Sequence, residues 1–462
     1  NDACSISQRS SELCKQAALP RPLARPFLRD RRSVLTDARC ARDVVIVSCF
    51  ISLARRADRA PKRSKTWHVP ASTLSVRTSN PIRQIVESIR KPTKEESGGK
   101  EMVPLSLGDP TIFKNMPISE VLMSAMHSNI DSHDCDGYTH SCGTPSARAA
   151  IAQRYALPNS PVTADDVIIT SGCSGALDLA LSAMINEGDN VLLPCPGFAL
   201  YNTIVEARGG KCKDYNLVAE RGWECDLAHM ESQIDSRTRC ILINNPSNPC
   251  GSVFSLAHLQ DIVALAERHC LPIIADEIYG GIVFDGCEMH PLAAVSTNVP
   301  IITCGGLAKE FLVPGWRLGW IVVHDRAGIL APVKAGMQRL ATLTLGANTL
   351  VQNCLPAVLT PEPGTKEAGA LAAFHKATAR ILQTNAEFVC AQLAGNPCLE
   401  VIVPSGGAWR RGVNARLRGA RNCGAPRRIP AGGTAPVSAQ MRSQSAEPSA
   451  RACTTIEPPN CL

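Results

Sequence analysis

Residues 240–279 read CILINNPSNPCGSVFSLAHLQDIVALAERHCLPIIADEIY, and this stretch decides the fold. Cys240 to Ile243 is a short apolar run rich in β-branched residues, and Pro272 to Ala275 is another. Between them, Leu256 to His269 repeats apolar residues at helical spacing. A strand, a helix and a second strand at this spacing make a crossover unit whose two strands run parallel. The runs are continuous rather than alternating, so the strands are expected to be covered on both faces. Working outward, the same pattern recurs at Val167-Ile168-Ile169, Val191-Leu192-Leu193 and Pro300-Ile301-Ile302-Thr303, with a further helix over Ala176 to Ile185. The expected class is α/β, with a mostly parallel sheet flanked by helices.

In open α/β sheets ligands gather at the carboxyl ends of the strands, and each run here is followed by polar or glycine-rich residues. Thr170-Ser171-Gly172-Cys173-Ser174-Gly175 follows the first run and opens a helix. Free N–H groups at a helix start suit a phosphate, although alone this reads first as a plain capped helix. Asn244-Asn245-Pro246-Ser247-Asn248-Pro249-Cys250-Gly251 follows Ile243 and would pass for a turn. Asp276 and Tyr279 follow Ala275, and a carboxylate leaving a buried strand is costly without a cationic partner. Cys304-Gly305-Gly306-Leu307-Ala308-Lys309 follows Thr303, and Arg317 lies eight residues further on. An amine among small and apolar residues is a candidate nucleophile.

These pieces fit one ligand, pyridoxal phosphate. Its aldehyde needs a lysine, its ring nitrogen a carboxylate, its phenolic oxygen donors, and its phosphate an arginine and helix N–H groups. Lys309, Asp276, Tyr279 with Asn248, and Arg317 with Gly172, Cys173 and Ser174 supply them, and Phe198 offers an aromatic face for the ring.

At these residues the chain resembles the class I pyridoxal-phosphate-dependent aminotransferases, most of all the tyrosine aminotransferase type, over about residues 67–406. The strings that carry the resemblance are Ser106 to Thr111, Thr170 to Ser174, Asn244 to Phe254, Ala275 to Gly280, and GGLAKEFLVPGWRLGW at Gly305 to Trp320. The last departs from the family pattern mainly at Glu310, where a basic residue is usual. The resemblance implies an aspartate-aminotransferase-like fold (fold type I) with a seven-stranded-type sheet, and transamination of an aromatic amino acid, tyrosine, with 2-oxoglutarate. It implies that Lys309 binds the cofactor as a Schiff base and shuttles the substrate proton, with Asp276 and Tyr279 as its catalytic partners. It further implies Gly108 near the substrate carboxylate. Tyr138 would reach the cofactor phosphate of a neighbouring subunit in a homodimer, or be simply a turn aromatic. The late arginine that takes the substrate carboxylate in the family has no counterpart here, which leaves open a cofactor-binding pseudoenzyme or truncated product, and the other chemistries of relatives on the same scaffold leave open a carbon–sulfur lyase.

Charge divides the chain into three segments. Residues 1–65 carry a net +9 and residues 407–462 a net +7, so the formal +7 of the whole leaves −9 for the middle. Basicity therefore belongs to the ends, and a nucleic-acid partner for the middle loses its support. The ends, rich in Arg, Ser, Pro and Gly, read as disordered or artefactual, the second as frame-shifted, and residues 66–406 as the large domain with the start of an incomplete small one. No apolar run spans a bilayer. The 21 cysteines form no CxxC pair, which supports neither a metal site nor a disulfide framework. Unpaired thiols without a convincing signal segment point to the cytoplasm, with mitochondria as the alternative.

Overall fold

Eight strands make one sheet: β1 (Val167–Thr170), β2 (Asn190–Cys195), β3 (Lys211–Val218), β4 (Glu224–Cys225), β5 (Thr238–Asn244), β6 (Ile273–Asp276), β7 (Ile301–Gly306) and β8 (Gly319–His324). Their order across the sheet is β1-β8-β7-β6-β5-β2-β3-β4. In this computed structural model the described residues are 69–407, apart from 91, 94, 101–107, 112–113 and 397–398, together with 414–417. All but the first two lie in the unit Ala71–Leu462. The expectations for residues 1–65, and for most of 407–462, fall outside them.

β2, β3, β5, β6 and β7 pair in parallel, whereas β8 pairs antiparallel with both β7 and β1. β1 therefore runs with the parallel set, and β8 alone of the long strands is reversed. Seven strands match the sheet expected from the sequence, and the eighth, β4, is a two-residue strand at the edge. Two of the seven, β3 and β8, are not among the apolar runs singled out above. β3 lies near the open edge, where buried Tyr215 and Leu217 alternate with exposed Lys211, Asp214 and Asn216. β8 is wholly buried, but its apolar residues continue directly from the Gly305–Trp320 string.

Side chains alternate between the two faces of each strand. Ile274 and Ile302 pack on one face against Leu177 and Leu181 of the Gly172–Met184 helix. Their neighbours Ile273 and Ile301 pack on the other, against Leu259 and Ile262 of the Leu256–Arg268 helix. Each such side chain, fully buried, stabilises the fold by about 1.5–3 kcal/mol. Both helices were expected from periodicity, and each lies within about four residues of its expected start.

Before the sheet, two short helices, Thr73–Arg77 and Pro81–Ser88, lead into the body. Asn80 caps the second by accepting the Arg83 N–H at 3.1 Å, and Pro81 occupies its first turn, where no amide partner is lost. The Thr203 hydroxyl donates to the Ser79 carbonyl at 2.9 Å, and Arg77 pairs with Glu187 at 2.7 Å, pinning this segment in place. After the sheet come the 29-residue helix Lys366–Ala394 and a two-stranded antiparallel ribbon of β9 (Leu399–Ile402) and β10 (Asn414–Leu417). Among the described residues no helix is long and apolar enough to cross a membrane.

Candidate active site

A cavity of about 330 Å³ opens at the carboxyl edge of the sheet. Register builds its floor. Asn244 of β5 pairs with Asp276 of β6, which pairs with Cys304 of β7, so three neighbouring strands reach this edge in register. Asn244 then serves as a clamp: its side chain donates to the Asp276 carbonyl at 3.0 Å and accepts the Asn248 N–H at 2.6 Å. The Asn-Pro turn thereby sets Asn248 on the cavity wall.

Asp276 is 3% exposed. Burial pushes its carboxyl above the usual range, opposed first by a hydrogen bond from Tyr201, then by the Ile278 N–H, the Cys173 thiol and the charge of Lys309. The Tyr201 hydroxyl donates to Oδ2 at 2.7 Å, and the Cys173 thiol approaches Oδ1 at 3.5 Å. Tyr201 is itself fully buried and its phenol is pushed up by that burial, so it stays a donor. Its ring meets Phe198 edge-on, with centroids 5.6 Å apart. Lys309 lies in the short helix Leu307–Glu310, directly after β7, with its Nζ 5.7 Å from the Tyr279 ring centroid.

The reversal of β8 explains Arg317. A strand running against its neighbours begins where they end, so the two residues before β8, Arg317 and Leu318, arrive at the same edge as the residues following β1, β5, β6 and β7. Arg317 takes a left-handed backbone, φ 51° and ψ 48°, which costs about 1 kcal/mol for a residue other than glycine. Its guanidinium donates to the Pro314 carbonyl at 2.9 Å and the Ser171 carbonyl at 3.4 Å. It lies over Gly172, at φ 73°, where an added Cβ would sit 2.5 Å from Nη2. Gly319 is needed for a second reason: a Cβ there would collide with the Gly172–Cys173 backbone. The helix starting at Gly172 has no side-chain cap. Open N–H groups, the positive end of the helix dipole and a guanidinium thus form one anion cup.

Of the site residues expected from sequence, Gly108, Cys173, Ser174, Phe198, Asn248, Asp276, Tyr279, Lys309 and Arg317 all line this cavity, and Gly172 forms its cup. Tyr138 does not come to it and is 94% exposed. Sequence reasoning missed Tyr201, whose signal was its place three residues after Phe198, one helical turn apart. It also missed Asn80, Ile82 and Arg83, which line the cavity from a segment far outside the strand ends. The unusual Glu310 is paired with Arg154 at 2.5 Å. It borders a second cavity of about 210 Å³, walled also by Glu277 and Thr303.

Residues 100–407 match the family Aminotransferase class I and II. The chain is 46% identical to the tyrosine aminotransferase of Mus musculus over 353 residues, 76% of this chain and 75% of that protein. It is 46% identical to that of Homo sapiens over 349 residues, 75% and 74% of the two chains. The crystal structure of tyrosine aminotransferase from Leishmania infantum superposes with a TM-score of 0.68 at 31% identity, covering 74% of this chain and 82% of that one.

Proposed function

The chain belongs to the class I and II aminotransferases, a family that works with pyridoxal phosphate, and from that premise we propose that it moves the amino group of an aromatic L-amino acid, tyrosine, to 2-oxoglutarate. The products are 4-hydroxyphenylpyruvate and glutamate. Likeness to tyrosine aminotransferases at 40–46% identity supports the substrate. The observation that carries the reading is the convergence of nine residues, from several separate stretches of sequence, on one cavity.

The residues fit the cofactor on structural grounds. Asp276 is a buried carboxylate best satisfied by a cationic N–H. The bare Cα of Gly172 lets the Arg317 guanidinium lie directly against the helix start, where a side chain would displace it, so a phosphate would meet the guanidinium and the helix N–H groups together. Phe198 gives the cavity an aromatic wall. When bound, pyridoxal phosphate supplies an electron sink for the charge left on the substrate α-carbon as its proton departs. Asp276 holds the proton on the ring nitrogen, and Tyr201 holds Asp276 in its charged form. Tyr279 and Asn248 donate to the phenolic oxygen. Arg317 and the N–H groups of Gly172, Cys173 and Ser174 grip the phosphate, a forked task for which arginine is better shaped than lysine. Phe198 lies against the ring, and Gly108 leaves room for the substrate carboxylate. Lys309 would hold the cofactor through its side-chain amine, and the same amine would move the proton of the substrate α-carbon.

The protein is further read as a homodimer, in which the exposed Tyr138 reaches the neighbouring subunit's phosphate, and as cytoplasmic. Among the described cysteines no disulfide forms.

The test is spectroscopic. The purified chain should take up pyridoxal phosphate with a visible absorption band that tyrosine bleaches, and it should sediment at twice the 49.3 kDa chain mass. Lys309→Ala should lose both the band and the response to tyrosine. A folded, soluble protein without any band would refute the proposal, and an unchanged band in the variant would remove Lys309 from its role.

A further inference from the structure

Among the described residues, three cationic side chains line the cavity: Lys309, Arg317 and Arg83. The cofactor occupies the first two on the reading above. Arg83 has no part in holding it. Its side chain is exposed, on the Pro81–Ser88 helix, and no hydrogen bond or ion pair engages its guanidinium among the described residues. Yet its place is set. The Asn80 cap fixes the start of its helix, and the Thr203–Ser79 bond ties the preceding residue to the helix that carries Tyr201. Its neighbour Ile82, partly buried, lines the same cavity.

The two substrates pose a recognition problem that this pair of residues answers. 2-Oxoglutarate and glutamate carry a second carboxylate, whereas tyrosine carries an uncharged phenol ring in the equivalent direction. A carboxylate drawn into a cavity without a counter-charge is costly. A guanidinium can serve both occupants, since it grips a carboxylate through a fork of donors and also lies flat on an aromatic face. The α-carboxylate is one carbon from the atom that reacts at Lys309, which is half-buried, so an exposed residue at the rim suits the far end of the substrate instead. We infer that Arg83 recognises the distal carboxylate of the dicarboxylate substrates, with Ile82 beside it offering apolar surface to the tyrosine ring. This rests on the transamination reading and extends it to a specificity-determining residue.

The test compares the full chain, loaded with pyridoxal phosphate, with Arg83→Gln and Arg83→Lys. Binding of glutarate and of its monocarboxylate analogue valerate is measured by calorimetry, and the half-reactions with glutamate and with tyrosine by absorption. A charge-assisted hydrogen bond is worth about 1.5–3 kcal/mol, roughly ten- to hundredfold in affinity. Arg83→Gln should therefore erase a glutarate-over-valerate preference of that size and lower kcat/KM for glutamate far more than for tyrosine. Arg83→Lys should fall between. Equal weakening of glutarate and valerate would make Arg83 an α-carboxylate or packing residue and overturn the inference, as would equal affinities in the unmodified protein. Failure of the unmodified protein to respond to tyrosine would count against transamination instead, while the glutarate-to-valerate ratio would still decide the role of Arg83.

Discussion

Tyr201→Phe removes one hydroxyl and leaves the ring that meets Phe198 edge-on. The lost contact is the 2.7 Å bond to Asp276 Oδ2, between two buried groups. Hydrogen bonds to charged groups contribute about 1.5–3 kcal/mol, and 1.36 kcal/mol corresponds to one pH unit. Burial already pushes the Asp276 carboxyl upward, and the Tyr201 bond is the foremost opposing influence. Its removal should raise that carboxyl further, since burial would then face fewer opposing bonds. The cofactor needs Asp276 as an anion. Below the raised value the variant must give up a proton to bind, so affinity for pyridoxal phosphate should fall by roughly ten- to hundredfold. Above it Asp276 is already ionised and the deficit should shrink. The assay is cofactor titration by absorption between about pH 6 and pH 9, alongside thermal unfolding of the apoprotein. A packing defect would weaken binding equally at every pH. That outcome, or unchanged affinity throughout, would refute the role given to Tyr201.

Two further predictions concern the cup and the second carboxylate. Gly172→Ala places a methyl 2.5 Å from Arg317 Nη2 on a left-handed backbone, so it should cost about 1–2 kcal/mol of stability and at least roughly tenfold in phosphate-dependent cofactor affinity; titration of the variant at wild-type affinity would disprove the cup. Glu277 is buried, with its carboxyl raised by that burial from 4.5 to about 7. The folded protein therefore keeps a proton that the unfolded chain has lost. Stability from this group is full below about pH 4.5 and declines as pH rises to about 7, by about 3 kcal/mol. Glu277→Gln should remove that decline from the pH dependence of apoprotein unfolding, and an unaltered profile would contradict it.

The sheet was legible in the sequence where its strands are covered on both faces. Ile241 to Ile243 and Ile273 to Ala275 have no water-facing side, so they read as continuous runs. β3 was hidden because an edge strand keeps polar residues on its open side. Most of the site was legible for a related reason: polar residues that end a buried run stand out against it. Asp276 ends an apolar strand, and Asn248 and Lys309 each follow one within four residues. Tyr201 and Arg83 follow no such run. Tyr201 is an aromatic residue inside an amphipathic helix, where a packing role accounts for it fully. Arg83 reaches the cavity through tertiary placement of a segment about eighty residues ahead of the first strand, which neither composition nor periodicity reveals.

The strand end that reads Asp276-Glu277 shows how one dipeptide serves two environments. Successive side chains leave β6 on opposite faces, so Asp276 enters the cofactor cavity while Glu277 accepts the Leu292 N–H at 2.8 Å and borders the second cavity. Both are buried, and the charge on Asp276 helps raise Glu277. Like charges on adjacent buried residues are not both sustained without a cation nearby. The bonds from Tyr201, the Ile278 N–H and Cys173 favour the anion at Asp276, whereas Glu277 has the single backbone bond to Leu292 among its stabilising influences. Charge therefore resides on Asp276, and the proton remains on Glu277 up to about pH 7. The division follows from register alone: a one-residue slip of β6 would exchange the two carboxylates between the faces, leaving the cofactor cavity without its Tyr201-held anion.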